Sequence, residues 1–299
     1  MNFGKVENPL EINFSLPEDH IKTRQVLKQN KSGLKSISIG CPTWNKNNLI
    51  GFYPKPLKDE LTYYSRQFDA IELNATYYKL PSPEQINTWK DKTPEGFKFF
   101  PKITNSISHY RRLINVDDLV TQFATSILEF DEKLGMVFLQ LHDNYKPKDY
   151  ERLENFIKRW PQEVPLAIEI RNEDWFADEE IYNKVTQLFE DFKITNILVD
   201  TPGRRDVLHM RLTTASTFIR FVACNNLDLD KKRLKDWINR LSTWKKDGLE
   251  NLNFFVHQNF ELTPQLLSAY FIEELNKSWK TNLAVPQLAT TNPSPTLFD

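Results

Sequence analysis

Ile71-Glu72-Leu73-Asn74-Ala75-Thr76-Tyr77-Tyr78-Lys79-Leu80-Pro81 reads as a buried strand that delivers polar side chains at its end. Side chains alternate along a strand, so Ile71 and Leu73 face one side while Glu72 and Asn74 face the other. The pattern returns in Ala167-Ile168-Glu169-Ile170-Arg171, where Glu169 and Arg171 share the face opposite Ile168 and Ile170. A buried charge must be paired or must meet a ligand, so two such strands mark either a site or a costly core.

Around these two lie six further runs of strand length, giving eight in all: Ser36–Gly40, Phe68–Asn74, Lys98–Ile103, Met136–Leu141, Leu166–Ile170, Thr195–Asp200, Phe218–Ala223 and Asn253–Gln258. Most are separated by an amphipathic stretch with a helix start signal. Examples are Ser82-Pro83-Glu84, Asp117-Asp118 and Asp178-Glu179. Eight strand–helix units fit a single-domain α/β fold of the TIM-like (β/α)8 barrel type, which typically takes about 250 residues. An open sheet is the lesser alternative. The sixth unit is the weak one, because Thr201–Thr217 holds Pro202-Gly203-Arg204-Arg205 and only a short apolar run, Val207–Leu212. The barrel is assigned residues 35–282. Residues 1–34 form an N-terminal extension with a helix candidate at His20–Gln29, capping the barrel or wrapping its side. Residues 283–299 form a flexible tail whose Leu297-Phe298 pair offers a docking anchor for a protein partner.

The totals remove several classes of function. The chain of 299 residues carries 39 basic and 40 acidic side chains, so no global field holds nucleic acid or an anionic membrane. Cys41 and Cys224 make no disulfide framework or metal knuckle, and suit a reducing cytoplasm. No secretory leader and no apolar run of about 20 residues is seen. The expectation is a soluble cytoplasmic protein. Eight glycines, with neither a Walker loop nor a Gly-x-Gly-x-x-Gly fingerprint, disfavour a nucleotide, and no cofactor is expected.

In a TIM-like barrel, chemistry sits at the C-terminal ends of the strands. Those ends supply Glu72 and Asn74, Lys102, Gln140 and His142, Glu169 and Arg171, Asp200, Arg220 with Asn225 and Asn226, and His257 with Asn259. The loops add His109, Arg111 and Arg112, with Tyr77, Tyr78 and Trp175 as aromatic walls. From this set Glu72, Lys102, His109 and Glu169 are the candidate catalytic residues. Asn74, Tyr77, Arg112, Gln140, Arg171, Trp175, Asp200 and Arg220 are the candidate substrate-binding ones. Each also has a structural reading: the charges as a buried ion-pair network, His109 as a loop residue, and Asp200 as a turn cap before Thr201-Pro202. Their conjunction at one end carries more weight than any member.

At these residues the chain resembles the YecE-like proteins, domain-of-unknown-function family 72. The resemblance rests on Ile39-Gly40-Cys41-Pro42-Thr43-Trp44, on Glu72-Leu73-Asn74-Ala75-Thr76-Tyr77-Tyr78 with Leu80-Pro81-Ser82-Pro83, on Trp89, Thr93-Pro94 and Phe97-Lys98-Phe99, and on Lys102 and His109-Tyr110-Arg111-Arg112-Leu113. It continues through Leu134-Gly135, Leu139-Gln140-Leu141, Glu169-Ile170-Arg171 with Trp175-Phe176, and Asp200-Thr201-Pro202, covering about residues 36 to 280. It implies a TIM-like barrel with a polar pocket and supplies no reaction. The chain departs from the family pattern in two places. His142-Asp143-Asn144 stands where relatives commonly have prolines, and Arg220-Phe221-Val222-Ala223 stands where they commonly show Arg-x-His-Gly.

Three functions compete on this evidence. One is a metal-independent enzyme acting on a small polar substrate, anionic or sugar-like, with Glu169 or Glu72 as base, His109 as acid, and Lys102, Arg112 and Arg171 holding charge. Another is a divalent-metal isomerase or phosphodiesterase-like enzyme with Glu72, Glu169, Asp200 and His257 as ligands. The third is a non-catalytic ligand-binding protein.

Overall fold

The computed structural model describes residues 6–258 and 264–287. Its strands are β1 (Ser36–Cys41), β2 (Ala70–Leu73), β3 (Lys98–Pro101), β4 (Val137–Gln140), β5 (Leu166–Glu169), β6 (Thr195–Asn196), β7 (Leu198–Asp200), β8 (Ile219–Val222) and β9 (Asn251–His257). All pair in parallel, in a six-stranded sheet of order β3-β2-β1-β9-β8-β7 and a three-stranded sheet of order β4-β5-β6. The fold is therefore α/β with parallel sheets, and the ladders do not close into one continuous sheet.

Two seams join the sheets. The run 195–200 switches partners at Ile197, whose N–H donates to Ile168 O at 2.9 Å while the next N–H, of Leu198, donates to Phe218 O at 3.0 Å. At the other seam single parallel bridges link Phe99 with Leu134 and Lys102 with Phe138. Each of the eight sequence runs holds strand, the sixth in two pieces.

Helices cover the outer faces: α1 (Ile21–Gln29), α2 (Glu60–Tyr64), α3 (Ala75–Tyr78), α4 (Pro83–Lys92), α5 (Asp117–Leu128), α6 (Tyr150–Arg159), α7 (Glu179–Asp191), α8 (Leu227–Asp247) and α9 (Pro264–Trp279). Two of the three start signals act as side-chain caps. Ser82 accepts from Gln85 N, with Pro83 in the first turn, and Asp178 accepts from Glu180 N and Ile181 N. Asp117 and Asp118 instead occupy the first turn of α5, behind a Val116 that makes no side-chain cap, so they act through the helix dipole.

Between β7 and β8 no α-helix forms, only a 3-10 turn at Arg205–Val207. The N-terminal extension fills the gap along the side. Thr23 Oγ1 donates to Met210 O at 2.7 Å and accepts from Leu212 N at 3.0 Å, while Leu27 packs among Leu208, Met210, Leu212 and Trp244. Gly248 ends α8 with φ +120°, and a Cβ there would lie 2.2 Å from Leu27 O, so only glycine lets α1 sit this close. At the other end of the chain, residues 283–287 run back along the body. Val285 packs with the α8–α9 core and Gln287 N donates to Gln67 Oε1. Pro293–Asp299, with the Leu297-Phe298 pair, and Asn259 lie outside the described residues.

Three apolar layers result from the period-2 alternation. Ile71, Leu73, Phe99, Leu139 and Ile168 face α4–α7, and Ile39, Leu198, Phe221 and Phe254 face α1, α8 and α9. The third layer is internal: Ala70, Phe100, Phe138, Ala167, Ile197, Val199, Phe218 and Phe255, contributed by both sheets, pack against one another. Among the described residues no helix is long and apolar enough to cross a membrane.

Candidate active site

Each member of the internal layer is followed two residues later by a side chain on the same face, one step nearer the C-terminal end of its strand. Ala70 leads to Glu72, Phe100 to Lys102, Phe138 to Gln140, Ala167 to Glu169, Phe218 to Arg220 and Phe255 to His257. The polar layer thus rests on an apolar floor.

Arg220 is its hub. Nε and Nη2 donate to Glu72 Oε2 and Oε1, each at 3.0 Å, and Nη1 donates to Glu169 Oε2. Both carboxylates are fully buried. Neither β2 nor β5 neighbours β8 in its sheet, so these bonds cross the interior. His257 Nε2 donates to Glu72 Oε2 at 2.8 Å, and Asn74 Nδ2 donates to Glu72 Oε1 at 2.9 Å and to Pro42 O. Gln140 Nε2 donates to Glu169 Oε1 at 2.9 Å, and its own Oε1 accepts from Lys102 Nζ at 2.8 Å. Burial alone would raise Glu72 and Glu169, but the Arg220 guanidinium holds both below the usual carboxylate range, helped by His257 at Glu72 and by Arg171 and Lys102 at Glu169.

Lys102 stands apart from the other cations. It is buried, its Nζ lies 4.4 Å from the Tyr77 ring centroid, and its hydrogen-bond partner is the neutral Gln140. No carboxylate of the described residues ion-pairs with it. Burial, then Arg220, bring its pKa down to about 8.

At the rim, the His109 ring packs edge-on to Tyr77 and to His142, each at 5.2 Å between centroids, and its Nδ1 bonds Ser108 Oγ at 2.8 Å. Burial, then His142, Lys102 and Arg171, push His109 down to about 4. Arg171 meets Asp143 Oδ1 at 2.7 Å and Glu169 Oε1 at 3.7 Å. Arg112, held at φ +49°, sends Nη2 to Asn144 O at 3.0 Å. Beside Glu72 and Asn74 a depression of about 170 Å³ opens under Pro42, Thr43 and Trp44.

Two candidates lie elsewhere. Asp200 shares the outward face of Leu198, where it accepts from Arg233 Nη2 and Trp237 Nε1, each at 2.8 Å, and pairs with Arg205. Its face is set by alternation: Val199 points inward, so Asp200 beside it points outward. Trp175 is a core residue, fully buried, with Nε1 donating to Tyr145 O at 2.7 Å. The metal-ligand set Glu72, Glu169, Asp200 and His257 is therefore not assembled. Among the described residues no three His, Cys, Asp or Glu side chains are grouped to hold a metal ion. His257 is the member of the layer that the candidate catalytic and binding sets omitted; the i+2 step from Phe255 would have found it.

A parallel α/β fold with an interior carboxylate–guanidinium layer at the strand ends defines the structural class. The chain belongs to the DUF72 family, described as proteins of unknown function, whose model matches residues 38–292. It is similar to the UPF0759 protein YecE of Escherichia coli (strain K12), with 26% identity over 271 residues, covering 84% of this chain and 97% of that protein. The UPF0759 protein YunF of Bacillus subtilis (strain 168) is 26% identical over 149 residues, which is 47% of this chain and 52% of that protein. Among solved structures, a DUF72 family protein from Thermotoga maritima MSB8 superposes with a TM-score of 0.65 at 23% identity, over 83% of this chain and 100% of that one. Another from Enterococcus faecalis V583 gives 0.64 at 17% identity, over 84% and 99%. These two likenesses concern the fold.

Proposed function

We propose that the two sheets are arcs of one TIM-like barrel, and that the polar layer at its C-terminal end is the active site of an enzyme acting by acid/base chemistry on a small polar substrate with an anionic group. The seams at Ile197 and at Lys102–Phe138, and an internal core drawn from both sheets, support the barrel. Lys102 carries the functional reading. It is a buried amine with no carboxylate partner among the described residues, beside a neutral hydrogen-bond acceptor and an aromatic face. In its charged form it pairs with a substrate anion, and with a pKa of about 8 it also gives and takes a proton near neutrality.

Glu72 and Glu169 are poor bases while Arg220 holds them ionised; their work is to position Arg220 and balance the field. His109, held neutral at pH 7, serves as a hydrogen-bonding wall rather than as the acid. The test is to incubate the protein with sugar phosphates, sugar acids, keto acids and uncharged polyols, following binding and conversion by proton NMR. Conversion of an anionic member, lost at least about 100-fold in Lys102→Met, is the expected result. Binding without conversion across the set would favour a non-catalytic receptor, and full conversion by Lys102→Met would overturn the assignment.

A further inference from the structure

Two cavities lie at the opposite, N-terminal end of the strands. One, about 460 Å³, is walled by Ile39, Phe68, Phe97, Ile272 and Leu283, and its size lies in the range of small-molecule sites. The other, about 370 Å³, enters the interior past Ser38, Asn253 and Phe100. Asp69, just before β2, lines both. Its Oδ1 accepts from Ile39 N at 2.7 Å, standing in for a strand carbonyl where the ladder has not yet begun. That bond leaves the second oxygen and the negative charge without a cation among the described residues. Arg66 and Lys98 line the cavities too, but they donate to Thr62 O and Glu132 O respectively. Glu95, the remaining charged group on the larger cavity, adds negative potential. A sheltered carboxylate without a cation is unfavourable until a ligand supplies one. Burial accordingly raises Asp69 to about 7.

We propose that this end of the sheet carries a second ligand site, centred on Asp69, for a small molecule that joins a primary ammonium group to an apolar body. The ammonium head donates to the Asp69 carboxylate, and the apolar body lies along Ile39, Phe97, Ile272 and Leu283. Charge selects the head and the wall selects the body. The inference does not rest on the reading of the polar layer.

The probe is n-hexylammonium on the full chain, with n-hexanol and hexanoate as controls of the same length, titrated by NMR and calorimetry. Hexylammonium should bind at least about 10-fold more tightly than hexanol, as expected for a charge-assisted hydrogen bond, and hexanoate should not bind. Asp69→Asn keeps an acceptor for Ile39 N and should abolish the preference for the ammonium head. Ala284→Trp, at the wall, should weaken hexylammonium and hexanol alike. Equal affinity of the wild-type chain for hexylammonium and hexanol, or an undiminished ammonium preference in Asp69→Asn, would overturn the proposal.

Discussion

Arg220→Met removes the cation that two buried carboxylates share while keeping an unbranched side chain that fills part of its space. Three hydrogen bonds go, two at 3.0 Å to Glu72 and one to Glu169. Both carboxylates retain partners: His257 and Asn74 at Glu72, Gln140 and Arg171 at Glu169. Breaking a buried pair from one side costs about 3–5 kcal/mol. In a domain of this size that lowers Tm by roughly 10 °C. The sign with pH distinguishes an electrostatic cause from lost packing. In the wild type the carboxyl pKa values are depressed, so their stabilisation is present above the unfolded value near 4.3 and is lost as pH falls through the lower folded values. In the variant burial acts unopposed by Arg220 and the folded pKa values rise, so stability is lost as pH climbs above the unfolded value. The deficit should therefore be largest at pH 7 and shrink toward pH 5, read by calorimetry across that range. Arg220→Met with Glu72→Gln and Glu169→Gln should recover much of the loss. A deficit below about 1 kcal/mol at pH 7, on the scale of an exposed ion pair, or one independent of pH, would refute the reasoning.

Further outcomes follow from other residues. Lys102 should titrate near 8 by NMR of its ε-methylene, and because its folded pKa lies below the unfolded value near 10.4, stability should rise with pH through that interval and do so less in Lys102→Met. His109 should titrate near 4, and its contribution to stability, present above the unfolded value near 6.5, should be lost as pH falls from there through 4; imidazole proton NMR with denaturation at each pH checks both. Asp200→Ala leaves the buried Arg233 paired with Asp230 but takes away its second carboxylate and the acceptor of Trp237 Nε1, and should cost about 1–3 kcal/mol by urea unfolding, while leaving ligand binding at the polar layer intact. Gly40→Ala would set a Cβ 2.1 Å from Ala70 O, and circular dichroism melts should show a loss of at least about 1–3 kcal/mol as β1 and β2 are forced apart.

Much of this architecture was readable because strand alternation is a local property. Glu72 and Glu169 could be placed on one face from Ile71, Leu73, Ile168 and Ile170 alone. The same rule, carried back one step, puts Asp200 on the face of Leu198, outward; the polarity of Asp200 and its place at a strand end pointed the other way. The role of Arg220 was beyond local reading, since its partners sit on β2 and β5 and their distances depend on how the sheets curve together. Trp175 could not be told from a pocket wall because an aromatic ring suits either setting, and only its Tyr145 partner decides. The missing sixth helix was signalled by Pro202-Gly203 and the short run after it. What replaces it was not, because α1 lies nearly two hundred residues away in the chain.

That replacement has a consequence for stability. Thr23 meets Met210 across 187 residues and Asn30 meets Gly248 across 218, so α1 is held by chain far from it in sequence. A nine-residue helix is too short to persist alone in water, where about 12–15 residues are marginal. Its stability therefore comes from packing on α8 and on residues 208–212. In turn Leu208, Met210 and Leu212 have no helix of their own unit to cover them. Cutting the chain in the linker at 30–35 should therefore loosen α1 and uncover these three side chains, a change that limited proteolysis followed by calorimetry would read.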